Sequence, residues 1–171
     1  MLVPCRPLTA EAYAPYGDVV MASPRGEPGM PANQGTARRF DHLASLVDLR
    51  PGRAALNVSV FRCQPRPAGP FPVALLEKHP ATTQLFVPMS ARRYLAMVAL
   101  GGDRPDLATL AAFVASSAQG VSYRPGVWHH PMIALDGETD FACFAWEDGS
   151  PDDCVVVTYP EEERAIVVLP G

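Results

Sequence analysis

Lysine is almost missing from this sequence. Lys78 is the only one among 14 basic residues, and the arginines that make up the rest are scattered among acidic neighbours. With a formal net charge of −4, no dense basic stripe exists, and nucleic-acid binding is not expected. Long apolar runs are missing too. The longest, 94–100 and 154–157, are strand-sized and far short of the roughly 20 residues of a membrane span, so no membrane association is expected. The opening stretch carries Pro4, Cys5, Arg6 and Pro7 where a secretory signal needs an apolar segment, which makes the cytoplasm the expected compartment. The four cysteines (Cys5, Cys63, Cys143, Cys154) form no C-x-x-C pair; free thiols are expected, with Cys63 and Cys143 in the core. There is no glycine-rich phosphate loop and no G-x-S-x-G, and Ser116-Ser117 has no histidine nearby in sequence and reads as a cap.

What is present is a chain of 171 residues, 48% hydrophobic and 19% charged, which fits one domain over 1–171 with a real core. Nineteen prolines and 13 glycines favour many short elements joined by tight turns. Thr9 caps a short helix over 10–14, ended by Pro15 and Gly17. Residues 23–35, rich in Gly, Pro and Asn, read as a loop. Asp41 caps a turn of helix with Leu43, Leu46 and Val47 on one face. Asp106 caps a longer helix in which Leu107, Leu110, Ala111 and Val114 fall at helical spacing, ending over 116–120. Strand patterns cover 56–60, 73–79, 84–88, 94–100, 121–123, 128–134, 141–146, 154–159 and 166–169, with a Pro-rich turn over 64–72. The pattern predicts a mainly β protein, a small antiparallel barrel or jelly roll with a few short helices.

Two stretches carry candidate chemistry. In Pro125-Gly126-Val127-Trp128-His129-His130-Pro131 the Pro-Gly turn fixes the entry of a strand on which His129 and His130 face opposite ways. A core histidine bonded to backbone beside Trp128 fits the same string. In Glu77-Lys78-His79 the acid and the imidazole share a strand face, with Lys78 opposite and Gln84 beyond the turn that Pro80 forces. A solvent-facing salt bridge also fits that pattern. A barrel that gathered Glu77, His79, Gln84 and one of His129 or His130 would offer three or four N/O donors, suited to a divalent ion such as Ni, Mn, Zn or Fe, or to an acid–base pair. Arg62, a planar bidentate donor, is the candidate clamp for a carboxylate. Tyr123 and His130 are further candidates for holding a substrate; His42 is expected to be solvated.

The string 125–129 resembles the second cupin motif, and Glu77-x-His79 with Gln84 resembles a degenerate first one. More specifically the chain resembles the bacterial ureidoglycolate lyase family. The matching strings are Glu77-Lys78-His79-Pro80, Thr83-Gln84-x-Phe86-x-Pro88-Met89, Gln119-Gly120-Val121, Val127-Trp128-His129-His130-Pro131 and Thr139-Asp140-Phe141. Two positions depart from the family pattern: Ala145-Trp146 where Asp-Arg is usual, and Phe61 where Asn is usual. The resemblance implies a cupin-type double-stranded β-helix, usually dimeric, associated with a divalent metal such as nickel. It implies cleavage of ureidoglycolate to glyoxylate and urea in allantoin and purine nitrogen catabolism. His79, His129 and Glu77 would be the catalytic or metal-holding groups, with Gln84 beside them. A sibling cupin acting on another small 2-hydroxy or 2-keto acid, and a non-catalytic ligand-binding cupin, are the alternatives.

Overall fold

A computed structural model describes residues 1–67, 69–90 and 92–169; Ala68, within the expected 64–72 turn, lies outside the described residues. Eight strands build the frame. They are β1 (Ala55–Cys63), β2 (Leu75–Lys78), β3 (Gln84–Pro88), β4 (Arg93–Ala99), β5 (Ala111–Ser116), β6 (Gly120–Tyr123), β7 (Trp128–His129) and β8 (Thr139–Glu147). One sheet runs in the order β6-β3-β8-β1, and the other contains β2-β7-β4-β5. Consecutive strands thus cross repeatedly between two facing sheets, which is the jelly-roll topology expected from the turn-rich β pattern. Further short strands extend each sheet. Val155–Thr158 lies beside β2, and Leu2–Pro7 runs parallel to both β5 and Ile166–Val168. Those parallel pairs depart from the all-antiparallel barrel expected. Among the described residues no helix is long and apolar enough to cross a membrane.

Strand alternation sorts the side chains into two cores. Tyr94, Ala96 and Val98 of β4 point between the sheets, where they meet Phe113 of β5, Phe86 of β3, Val121 and Tyr123 of β6 and Phe141 and Cys143 of β8. Leu95, Met97 and Ala99 point the other way and pack with Leu76, Trp128, Val3 and Val167. β4 and β5 are therefore buried on both faces, each fully buried aromatic such as Phe113 contributing about 1.5–3 kcal/mol of burial.

Two expected helices do not form. Over 107–114 only Leu107–Thr109 is helical, as a single 3-10 turn capped by the Asp106 side chain. The Ala-Ala-Phe-Val-Ala run that follows is β5, paired to β4 on one side and to Leu2–Pro7 on the other. An apolar run buried on both faces satisfies helical spacing without being a helix. The expected turn of helix after Asp41 is also absent, and His42 sits there at φ +55°, exposed and outside the helical region. The 23–35 segment is not all loop, since Met30–Ala32 pairs with Ala37–Arg39 as a small hairpin. The first helix is Ala10–Tyr13, with Thr9 Oγ1 accepting from the Ala12 amide. All four cysteines are free thiols; Cys143 is buried and Cys63 packs at the edge of the inner core.

Candidate active site

The two candidate stretches come together at one end of the space between the sheets. Glu77 on β2 is the direct cross-strand partner of His129 on β7, which aligns the acid with the imidazole before any side chain is considered. Next to them the turn made by Pro125 and Gly126 donates the Gly126 amide to the His79 carbonyl at 2.9 Å. Gly126 adopts φ +81°, the left-handed conformation that glycine takes without a Cβ clash. Lys78 turns to the opposite face, as alternation requires, with its ammonium over the Trp128 ring and bonded to the Gly102 carbonyl.

Each imidazole is held by its Nδ1. His79 Nδ1 donates to the Asp153 carbonyl at 2.8 Å, and His129 Nδ1 donates to the Val127 carbonyl at 3.1 Å. This bonding selects the tautomer in which Nε2 is bare. Both Nε2 atoms are buried without a partner, as is Gln84 Oε1 at the start of β3. His129 Nε2 stands 3.6 Å from the Glu77 carboxylate, too long for a hydrogen bond but within ion-pair range. The two imidazole rings stack with centroids 5.5 Å apart, and the Tyr123 ring lies flat on His129 at 4.0 Å. One ligating atom each from Glu77, His79 and His129 lie within 4.8 Å of one another. Two buried, unpartnered imidazole nitrogens beside a carboxylate would be costly in a site meant to stay empty. The donor set suits a divalent metal that accepts imidazole and carboxylate.

Electrostatics agree with a neutral His79 facing an anion. Burial, with the neighbouring His129, pulls His79 below its ordinary value despite the Asp153 carbonyl and Glu77. Burial pushes the Glu77 carboxyl up, but the facing His129, with help from His79 and His130, pulls it down further, so it stays ionised. Cys154, expected only as a free thiol, comes within 4.0 Å of the second Glu77 oxygen. Burial foremost, together with Glu77, pushes its thiol up to about 11, so it meets the carboxylate as an uncharged S–H.

Not every expected residue joins this cluster. Arg62 lies on the outer face of β1, bound through Nε and Nη2 to both carboxylate oxygens of Asp140, with Glu138 also near. His130 follows β7 and turns to the far side of the sheet, edge-on to the Phe71 ring, with Nδ1 bonded to the Pro131 carbonyl. Tyr123 is at the site but its hydroxyl points to the Met132 sulfur, so its face backs His129. Asn57 and Glu147, bonded to each other at 2.6 Å on β1 and β8, were missed as candidates. Asn57 shares its strand face with Ser59, two residues on, and Glu147 shares its face with Ala145 and Cys143, two and four residues before it; that period-two relation is the available signal. Ala145, one of the two departures from the family pattern, is buried and shares the Cys143 face, whereas Trp146 shares the outward face of Phe144.

The model of the family described as ureidoglycolate lyase matches residues 1–166. Relatives named ureidoglycolate lyase in Escherichia coli O1:K1 and in Shigella boydii serotype 18 are each 39% identical over 157 residues, covering 92% of this chain and 94% of theirs. Similar solved structures are a dTDP sugar isomerase from Desulfovibrio desulfuricans G20 and RmlC from Streptococcus suis. The first has a TM-score of 0.47 and 13% identity, covering 86% of this chain and 83% of that one. The second has a TM-score of 0.40 and 11% identity, covering 59% and 47%. A match that spans the whole jelly roll and includes both histidine-bearing stretches settles the kinship: the chain belongs to the ureidoglycolate lyase family.

Proposed function

We propose that the protein is an enzyme that cleaves ureidoglycolate into glyoxylate and urea, acting in allantoin and purine nitrogen catabolism. The observation that carries the reading is the pair of bare, buried Nε2 atoms of His79 and His129 facing one ionised carboxylate, Glu77. Ureidoglycolate carries a hydroxyl, a carboxylate and a ureido nitrogen on one carbon. As the hydroxyl loses its proton, the O–H electron pair becomes the C=O bond. The C–N pair leaves on the urea nitrogen, which must be protonated. No covalent nucleophile is required.

His129 Nε2 accepts the hydroxyl proton and returns it to the departing nitrogen, a transfer suited to an imidazole near neutral pH. The Glu77 carboxylate stabilises the imidazolium that exists between the two transfers. Stacking on Tyr123 and the bond to Val127 hold that ring still. Gln84 Oε1 accepts from a substrate N–H or O–H. His79 Nε2, Glu77 and His129 Nε2, with Gln84 in reach, would hold a divalent ion such as nickel, which when bound supplies positive charge to substrate oxygens. A nitrogen that holds an ion cannot also carry the proton, so metal content decides which work His129 does.

The proposal covers residues 1–171 as one lyase domain, supported by the family match over 1–166. It places the enzyme in the cytoplasm, where free thiols persist. It also includes a homodimer. Leu56, Val58 and Val60, 49%, 59% and 59% exposed on the outer face of the edge strand β1, form an apolar row that a second copy of the chain would cover.

The test is incubation of the purified protein with ureidoglycolate, before and after chelation, with glyoxylate and urea both measured. Equal release of the two supports the reading. No release, with turnover of another small 2-hydroxy acid, would assign a sibling reaction, to which Ala145 at the buried strand face points. Tight binding of such an acid without turnover would remove catalysis altogether.

A further inference from the structure

We propose that Arg50 is a positioning residue for His79, acting through the loop 148–153. The inference rests on the functional reading of Glu77, His79 and His129 given above. His79 owes its bare Nε2 to one hydrogen bond, from Nδ1 to the main-chain carbonyl of Asp153. That carbonyl belongs to the last residue of a 3-10 turn, Pro151–Asp153, just before the strand Val155–Thr158. Its position is set by the Asp153 side chain, which is tied from two directions. Arg50 Nη2 donates to Asp153 Oδ1 at 2.5 Å, and the Asp148 and Gly149 amides donate to Oδ2 at 3.1 and 2.8 Å. Arg50 Nη1 also binds Asp148 Oδ2 at 3.2 Å, so a single guanidinium spans both ends of the loop.

Arg50 is equipped for this and for little else. Its side chain is 12% exposed, too little for an ordinary surface arginine. Its own amide is held by Asp48, and the segment before it is tied to the His79 turn, with the Leu49 amide on the Ala81 carbonyl and the Thr83 amide on the Val47 carbonyl. Arg50 thus bridges the chain just after His79 to the loop whose carbonyl orients His79. The same loop runs on into Cys154, whose thiol meets Glu77, and into Val156, the cross-strand partner of Glu77. A fork-shaped donor that fixes this loop therefore fixes the ring orientation and tautomer of one imidazole and the wall behind the carboxylate. Partners that orient an imidazole in this way change metal affinity by about 10–100-fold when removed.

The test uses the metal-free full-length protein with Arg50→Met, Arg50→Lys and Asp153→Asn. Long-range 1H–15N correlation of the histidine rings, recorded above neutral pH, reads the His79 tautomer. Titration calorimetry with Ni2+ reads affinity, and thermal melting reads stability. In the wild type His79 carries its proton on Nδ1. Arg50→Met is expected to mix the two tautomers and to weaken Ni2+ binding by about 10–100-fold. Arg50→Lys keeps the charge without the fork and is expected to recover part of both. A lower melting temperature with unchanged tautomer and unchanged Ni2+ affinity in Arg50→Met makes Arg50 merely structural and overturns the proposal. If Arg50→Met does not fold, Asp153→Asn decides, because it removes the clamped carboxylate and keeps the carbonyl; a wild-type tautomer and affinity there also overturn it. A wild type that binds no Ni2+ and cleaves no ureidoglycolate counts against the functional reading, and the tautomer comparison then decides the role of Arg50 alone.

Discussion

Replacing Glu77 by glutamine changes one charge and almost no volume, so it isolates what the carboxylate does. Its side chain is 22% exposed and 3.6 Å from His129 Nε2. At that separation, and with an effective dielectric of about 20, the attraction between a carboxylate and a full imidazolium is about 4–5 kcal/mol. A proton half transferred in the transition state would feel about half of it. With about 1.4 kcal/mol per decade of rate, the expected loss in kcat runs from about 50-fold to about 2,000-fold. KM should move little, because Glu77 acts on the imidazole and not on the bound acid. The assay is initial-rate glyoxylate release at saturating ureidoglycolate, with a melting curve to show that the variant is folded. A loss of less than about threefold in a folded variant would refute the electrostatic role, because even a quarter of the attraction exceeds it.

Three further outcomes follow from the same geometry. His79→Ala should abolish urea release while a cooperative melt and near-UV circular dichroism persist, and normal turnover would remove His79 from the mechanism. Arg62→Ala should leave kcat, KM and the melting temperature near their wild-type values, since its exposed, solvent-screened pair with Asp140 faces away from the site; a large rise in KM would restore it as the carboxylate clamp. Stability of the metal-free protein should fall as pH drops below about 6.5, the ordinary histidine value. His79 and His130 are held below that value chiefly by burial, so the unfolded chain binds protons there that the folded one refuses. The depressed Glu77 carboxyl adds a loss of the same sign at lower pH. Urea melts at stepped pH measure this, and a flat profile between neutrality and pH about 5 would contradict it.

The sequence spoke clearly where a local rule had one solution. Thr9 ahead of Ala10–Tyr13 is an N-cap, and the Pro125-Gly126 turn sets the face of each residue on β7, so His129 points inward and His130 outward as alternation demands. Glu77 on β2 and His79, one residue past its end, turn to the same side for the same reason. The misreadings came where local rules had two solutions. The 111–115 run fits a helix by spacing, and only its partners β4 and Leu2–Pro7 make it a strand. The leucines after Asp41 suggested a helical face, but the segment is held by bonds from Val47 and Leu49 to the turn at 81–83. Arg62 had the right chemistry for a carboxylate, yet its strand register puts Phe61 on the inner side and the guanidinium outside. Asp153 and Cys154 were not legible at all, because their value lies in one carbonyl and one thiol brought beside Glu77 and His79 from the far end of the chain.

The most direct measurement is side-by-side product analysis of wild type and His129→Ala on ureidoglycolate. The wild type should release glyoxylate and urea in matched amounts, and a folded variant neither product. Matched release by the variant at the wild-type rate would contradict this reading.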